Sequence, residues 1–475
     1  MKMDRVSGGF RKRRSWGAWL GYLTFLVIYT WAYMFLGSVV VLKHNTDRSA
    51  NQQSDYIDAV YQSASISSGS LEEIPSITAK VSGAFPQYSD GMIGPLFPWL
   101  LDGYAGLSPD QLFEKGKWFN LTLSCFLLVV FGLVAARAFS FTGSAAIILM
   151  GGFGVILERS AYFSPDGLFY LLFVLAWLCA LSLIRQNLLW QYGVFGFLLG
   201  LGYLTKPLVW PLLVSFLAVS VIRSFIAAIT QRGGRPVEDL WSPTNQLVGF
   251  AMMISAFILL CGPSLSYSNA RFGSPFHSYQ DYQIWMDGPE EAFRFQATHP
   301  GREELAVLKM GDAPGMIAFI RENGVATLFE RAWKGALEQV KSSVLGRKRW
   351  ILSYGFFVFL IVAGIHRWTM LRQREEVWRV RGTSARWMLL FTLIAVSCAL
   401  FYSGVGNAIF PGSSITTALF LPVLLSFIWI SERYRRQLQR SNRAALVNWV
   451  YGALMAVPIV WITSMIVVSI KKFGL

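Results

Sequence analysis

Five charged side chains stand where they could do chemistry in this chain of 475 residues. In Ser54-Asp55-Tyr56-Ile57-Asp58-Ala59-Val60-Tyr61, Asp55 and Asp58 are three positions apart, so on a helix both carboxylates share a face. Such a pair suits general-base work. It equally suits a helix that Ser54 caps and whose first-turn acids complement the dipole. Asp166, in Ser164-Pro165-Asp166-Gly167, opens an apolar run. A carboxylate there is a capping acid or a functional group at a membrane boundary. Lys206 ends Gly200-Leu201-Gly202-Tyr203-Leu204-Thr205-Lys206-Pro207, a short turn that holds an ammonium close to a bilayer. It can snorkel or bind a lipid phosphate. Arg271 lies in Asn269-Ala270-Arg271-Phe272-Gly273-Ser274-Pro275-Phe276-His277, where Gly273 and Pro275 read as a turn. Its guanidinium can clamp a phosphate through two parallel bonds or anchor the chain at an interface. His277 is isolated and reads as structural.

The elements that must position these groups are apolar helices. Hydrophobic residues make up 54% of the chain and charged residues only 15%, against about a quarter in soluble proteins. Apolar runs near 16–42, 119–138, 143–158, 167–184, 188–204, 207–228, 246–264, 350–366, 387–403, 415–431 and 444–469 approach the ~20 residues of a span. The fold expected is an all-α polytopic membrane protein of about eleven transmembrane helices. The run from Trp16 to Leu42 is far longer than the ~7–15 residues of a signal-peptide core, so the basic residues before it precede a first span.

A net charge of +15, from 42 Lys+Arg against 27 Asp+Glu, could serve nucleic acid or an anionic membrane. The basic residues fall in short runs between apolar segments, which favours the membrane and gives no role to nucleic acid. One set of connections receives Arg11 to Arg14, Arg137, Arg185, Arg232, Arg235, the arginines from 367 to 386 and those from 433 to 443. By the positive-inside rule that side is the cytoplasm, with the N-terminus inside. An outside C-terminus then carries Lys471 and Lys472 against the rule.

The other side holds two long segments, 43–118 and 265–349, and all five charged candidates. Long connections of this kind are usually functional. Val325, Leu328, Phe329, Trp333, Leu337, Val340 and Val344 recur at helical spacing, with Glu330, Arg331, Lys334, Glu338 and Lys341 on much of the other face. That is the pattern of an amphipathic helix lying on a membrane surface. Three modules follow: 1–264 with the first loop, 265–349 as the second loop, and 350–475 as a C-terminal transmembrane part. Cys125, Cys179, Cys261 and Cys398 each lie in apolar runs without metal-ligand spacing and read as small hydrophobes.

Taken in order, these segments resemble the GT-C glycosyltransferases, most of all bacterial members related to protein O-mannosyltransferases and lipid A aminoarabinose transferase. The likeness covers the first ~280 residues. It rests on the acids followed by a Tyr in the first loop, on Gly94-Pro95-Leu96-Phe97-Pro98-Trp99-Leu100, and on Gly116-Lys117-Trp118-Phe119-Asn120-Leu121. Pro165-Asp166, the run ending at Lys206, and Asn269 to Pro275 complete it. Where the family has adjacent acids, Asp58 here is preceded by Ile57 and Asp55 lies further back, so either acid can fill the catalytic place.

The resemblance implies an enzyme, of the inverting type in that family, that takes a sugar from a polyprenyl-phosphate donor outside the cytoplasm. The acceptor would be a lipid, glycan or protein hydroxyl, and the setting a bacterial inner membrane. It implies Asp55, Asp58 and Asp166 as catalytic carboxylates, Lys206 and Arg271 as lipid-phosphate ligands, and room for a divalent metal that no His/Cys cluster specifies. The competing class is a transporter or lipid-carrier flippase. Such proteins carry charge or broken helices at mid-bilayer, often in repeated halves. Here the run interiors are almost free of charge and the halves do not match.

Overall fold

The computed structural model describes residues 15–48, 53–67, 91–232, 243–299, 303, 305, 314–345, 361, 364, 383–409, 417–438 and 444–473. Among these residues there are helices and turns but no strand. Six helices are long and apolar enough to cross a membrane, and three shorter apolar helices accompany them. The chain is therefore an all-α protein with the helices of an integral membrane protein. The run at 350–366 apart from residues 361 and 364, the basic clusters 11–14 and 367–382, Arg235, and Phe410-Pro411 lie outside the described residues.

Helix α1 (Trp16–Lys43) starts at Ser15, whose Oγ accepts from Ala18 N–H at 3.3 Å. Its inner face is a column of aromatics, Tyr22, Phe25, Tyr29 and Tyr33, each ring 5.8–6.3 Å from the next. Buried phenols need partners. Tyr22 donates to the Gly132 carbonyl at 2.9 Å, and Tyr33 meets Ser124 at 3.0 Å and Ser160 at 3.2 Å. The first loop supplies α2 (Gln53–Ser67) and the short α3 (Leu96–Leu101).

Helix α4 (Pro109–Ala138) begins ten residues before its apolar run. The cause is local: Ser108 and Gln111 form a capping box with Pro109 behind it. Helix α5 (Phe141–Ser160) passes through a π-helical turn at Gly152–Ile156. A Cβ on Gly152 would strike the Tyr29 hydroxyl, so glycine lets α1 and α5 close on each other there.

Helices α6 (Asp166–Gln186) and α7 (Leu189–Thr205) are joined by Asn187 in the left-handed conformation (φ 49°). Helices α8 (Trp210–Arg232) and α9 (Pro243–Phe272) follow. A Cβ on Gly196 would overlap the Met253 carbonyl, which sets the close α7–α9 crossing.

The second loop contributes α10 (Tyr279–Gln283), α11 (Pro289–Thr298) and α12 (Met316–Leu345). Helices α13 (Thr383–Val405), α14 (Phe420–Leu438) and α15 (Ala444–Phe473) complete the chain.

Helix α12 departs from a simple surface helix. It breaks at Gly324 (φ 80°), and Leu328 and Ala332 pack inward. A Cβ on Gly335 would overlap the Gly404 carbonyl, so the α12–α13 crossing also depends on small residues. Val325, Phe329, Trp333 and Leu337 face outward, each more than half exposed. Arg331, expected on the wet face, turns into the protein instead, donating to the Val405 carbonyl at 3.0 Å and the Ile284 carbonyl at 3.1 Å. The fork of a guanidinium can tie two chain ends that a shorter side chain would not reach.

Candidate functional site

The candidate site is built at the end of the bundle where α1 stops and α6 starts. Lys117 of α4 is fully buried there. Its ammonium donates to the carbonyls of Val41 (3.2 Å) and Asn45 (2.7 Å), within and beyond the last turn of α1, and to Glu114 (2.8 Å). A lysine at a helix C-terminus satisfies carbonyls that have no helical partner.

Asn45 and Gln53 exchange two amide bonds of 2.9 Å. Asn45 also donates to the Ala161 carbonyl at 3.0 Å, while Gln53 accepts from Phe163 N–H at 2.8 Å. Asn120 clamps the same turn, donating to the carbonyls of Tyr162 and Ser164 at 2.8 Å each. This buried amide network fixes α2 on the turn that delivers Asp166. A low local dielectric makes each satisfied bond count more and each broken one cost more.

Asp166 is buried at the first turn of α6, and Lys206 is the C-cap of α7. Their side chains form an ion pair, and Arg159 at the end of α5 approaches Asp166 at 3.7 Å. Burial, the largest single effect, works against the Lys206 ammonium. The charge of Asp166, the phenols of Tyr56 and Tyr170 and the hydrogen bond to Asp166 together outweigh it and hold the lysine's pKa above its ordinary value. Tyr56 belongs to α2, so the helix that carries the two loop acids also reaches the Lys206 charge.

Asp55 and Asp58 are exposed on α2. Desolvation by the surrounding chain, and then the charge of Asp58, raise the Asp55 pKa above that of a free carboxyl. The shared face expected from their spacing is therefore present. Ser54, expected to cap this helix, instead lies inside it and donates to the Arg48 carbonyl at 3.3 Å.

Arg271 sits in the last turn of α9, with its guanidinium 3.3 Å from the Tyr267 hydroxyl and 5.3 Å from the Phe272 ring centre. The turn after it (Gly273, φ 72°) sends Phe276 against Tyr203 and Trp210, at 6.0 and 5.6 Å. Those two aromatics flank Lys206 in sequence, so Arg271 and Lys206 lie on neighbouring elements at one end of the bundle. Arg271 is not part of the Asp166–Lys206–Arg159 cluster. His277 is buried and stacks on Phe272 at 4.3 Å, a structural place.

The segment 91–94 joins both loops to this end. Tyr279 N–H donates to the Gly91 carbonyl at 2.9 Å. Gly94 packs on the carbonyls of Leu204 and Thr205 with no room for a Cβ. Gly91, at φ 79°, needs glycine on both conformational and steric grounds.

Sequence reasoning missed Arg159, Asn45 and Gln53 entirely, and it noted Lys117 and Asn120 only as part of a likeness. The signal that could have found them is a polar side chain beside an apolar run with nothing local to bond. Among the described residues, no group of three or more His, Cys, Asp or Glu stands close enough to hold a metal ion. Asp55 and Asp58 could at most share a cation whose other ligands come from a substrate. The arrangement offers exposed carboxylates as proton acceptors and a protonated lysine with a nearby arginine as anion ligands. No family model matches this chain, and no curated protein is similar to it.

Proposed function

We propose that the chain is a GT-C-like membrane glycosyltransferase. It moves a sugar from a polyprenyl-phosphate carrier to an acceptor hydroxyl on the extracytoplasmic face of a bacterial inner membrane. In this reading eleven spans place the N-terminus in the cytoplasm and both long loops outside. The observation that carries the proposal is the seating of α2: Gln53 binds Phe163 N–H, three residues before Asp166, whose carboxylate holds Lys206. One end of the bundle thus has both a carboxylate pair and fixed cations.

Asp55 or Asp58 accepts the proton of the acceptor hydroxyl as its oxygen attacks the anomeric carbon. The bond from that carbon to the phosphate oxygen breaks, and its electron pair leaves with the phosphate. Phosphate needs charge stabilisation more than a proton, which Lys206 and Arg271 supply. Asp166 is a positioning residue in this scheme. Its carboxylate is engaged by Lys206 and Arg159, so it orients the cation and the two loop acids remain as bases. A single displacement of this kind inverts the anomeric centre.

The test is a reconstitution in liposomes with radiolabelled polyprenyl-phosphate sugars and a supplied pool of hydroxyl acceptors. The expected result is label appearing on acceptor with release of polyprenyl phosphate. Donor moved intact across the bilayer, with no release, would assign the chain to the flippases instead.

A further inference from the structure

A cavity of about 340 Å³ opens between α10, the start of α12 and the end of α13. Its volume falls at the lower end of the ~300–1,000 Å³ of small-molecule sites. Trp285, Phe401 and Tyr402 give it aromatic walls, and among the described residues Asp281 of α10 is the one carboxylate in its lining. The walls are braced: Arg331 links the backbone of Ile284 to that of Val405, and both residues line the cavity. The Phe319 ring lies 5.2 Å from the same guanidinium. Arg331 is thereby spent on carbonyls, with its ionic contact to Asp287 at 3.7 Å.

Among the described residues, Asp281 has no such counter-ion. Desolvation by the surrounding chain raises its carboxyl to about 6 although the residue keeps contact with solvent, and no cation among the described residues opposes that rise. The groups that feel its charge are phenols, Tyr203 of α7, Tyr282 of its own helix and Tyr402 of α13. At neutral pH it is an anion among aromatic faces. Both features attract an organic cation, the first by charge and the second through the ring quadrupoles. A neutral ligand would leave the charge unanswered, and an anion would be repelled.

The cavity also adjoins the apolar outer face of α12. Phe401 packs edge-on against Phe329 at 6.2 Å, and Phe329, Trp333 and Leu337 are 57–71% exposed. We propose that this cavity binds an organic ammonium group, the head of an amphiphile whose chain lies along the Phe329–Trp333–Leu337 face. The inference does not depend on the proposed glycosyl transfer.

Isothermal titration of the purified protein at pH 7.5, in a neutral polyoxyethylene detergent, tests it. The probes are tetramethylammonium, hexyltrimethylammonium and a methyl glycoside. Saturable binding of both ammonium ions is expected, with the hexyl compound at least about tenfold tighter. Asp281→Asn should weaken both at least about tenfold, and Trp285→Leu and Tyr402→Leu should weaken both by smaller factors. A melt of Asp281→Asn no lower than that of the parent shows that the loss is not unfolding. Unchanged affinity in Asp281→Asn would overturn the site. A hexyl compound binding no more tightly than tetramethylammonium would overturn the amphiphile. Binding of the glycoside alone would overturn the cation and make the cavity a carbohydrate site.

Discussion

Asp166 and Lys206 lie 40 residues apart in sequence and form an ion pair between the start of α6 and the end of α7, at the ends away from the Asn187 turn. Arg159 stands behind the pair at 3.7 Å, so two cations share one buried carboxylate. Removing one partner strands a charge, a change that costs about 3–5 kcal/mol in fully buried pairs. Lys206 retains 16% exposure and Asp166 9%, which places the pair toward the low end. Asp166→Asn and Lys206→Met should each lower the melting temperature. The double variant should be less destabilised than the sum of the two, because they share one interaction. Additive losses in thermal melts would show that the pair is not coupled.

The loop acids give a kinetic prediction. Asp55→Asn or Asp58→Asn should cut transfer about 10²–10⁴-fold while leaving the melt unchanged, since both are exposed. The pH profile identifies the base. Desolvation and the Asp58 charge raise the Asp55 pKa, and a base works only when deprotonated, so rate falls as pH drops through that pKa. If Asp55 is the base, Asp58→Asn keeps activity and moves the acid limb to lower pH. If Asp58 is the base, Asp58→Asn abolishes turnover. Near-normal turnover in both variants sinks the carboxylate mechanism.

Lys117 predicts a stability effect remote from any substrate. Lys117→Met keeps the stem but removes the ammonium from the Val41 and Asn45 carbonyls and from Glu114. Bonds to a charged donor contribute about 1.5–3 kcal/mol, so a loss of that order is expected. Limited proteolysis should cut the 44–48 segment faster in the variant, because Asn45 also holds Gln53 and with it α2. An unchanged melt and cleavage pattern would contradict this anchoring.

Asp281 predicts a pH-dependent stability. Its folded-state value of about 6 lies above the ~3.9 of an Asp in an unfolded chain, so protonation favours the folded state. The contribution is fully present below pH ~4 and is lost as pH rises through about 6. Asp281→Asn removes this liability. The variant, without added ligand, should match the parent at pH 4 and melt above it at pH 7.5. The gain is modest because the carboxylate keeps contact with solvent. A variant that melts lower at pH 7.5 would contradict an uncompensated carboxylate.

The long apolar helices were legible in the sequence because a run of some twenty apolar residues suits a membrane span and little else. Their starts were less so. Helix α4 extends back to Pro109 on a capping box that hydropathy does not register. Asp55 and Asp58 were found by i,i+3 spacing, a local property. The Asp166–Lys206 pair and the Asn45–Gln53–Phe163 network were not, because each joins segments whose proximity only packing creates. Arg331 was misplaced for a related reason. Helical spacing assigned it to the charged face, where Glu330, Lys334, Glu338 and Lys341 do stay exposed, but Arg331 alone turns to the carbonyls of Val405 and Ile284.

The proposed transfer rests on Lys206 and Arg271, the cations that would meet a polyprenyl phosphate at this end of the bundle. The direct measurement is a binding titration of polyprenyl phosphate on the purified protein and on Lys206→Ala and Arg271→Ala. Each cation is worth about 1.5–3 kcal/mol as a charge-assisted contact, a loss of about ten- to 150-fold in affinity. A phosphate held by both cations should bind saturably to the parent, weaken by that order in each variant, and show a loss in the double variant that is not the sum of the two. No saturable binding by the parent, or unchanged affinity in both variants, would contradict it.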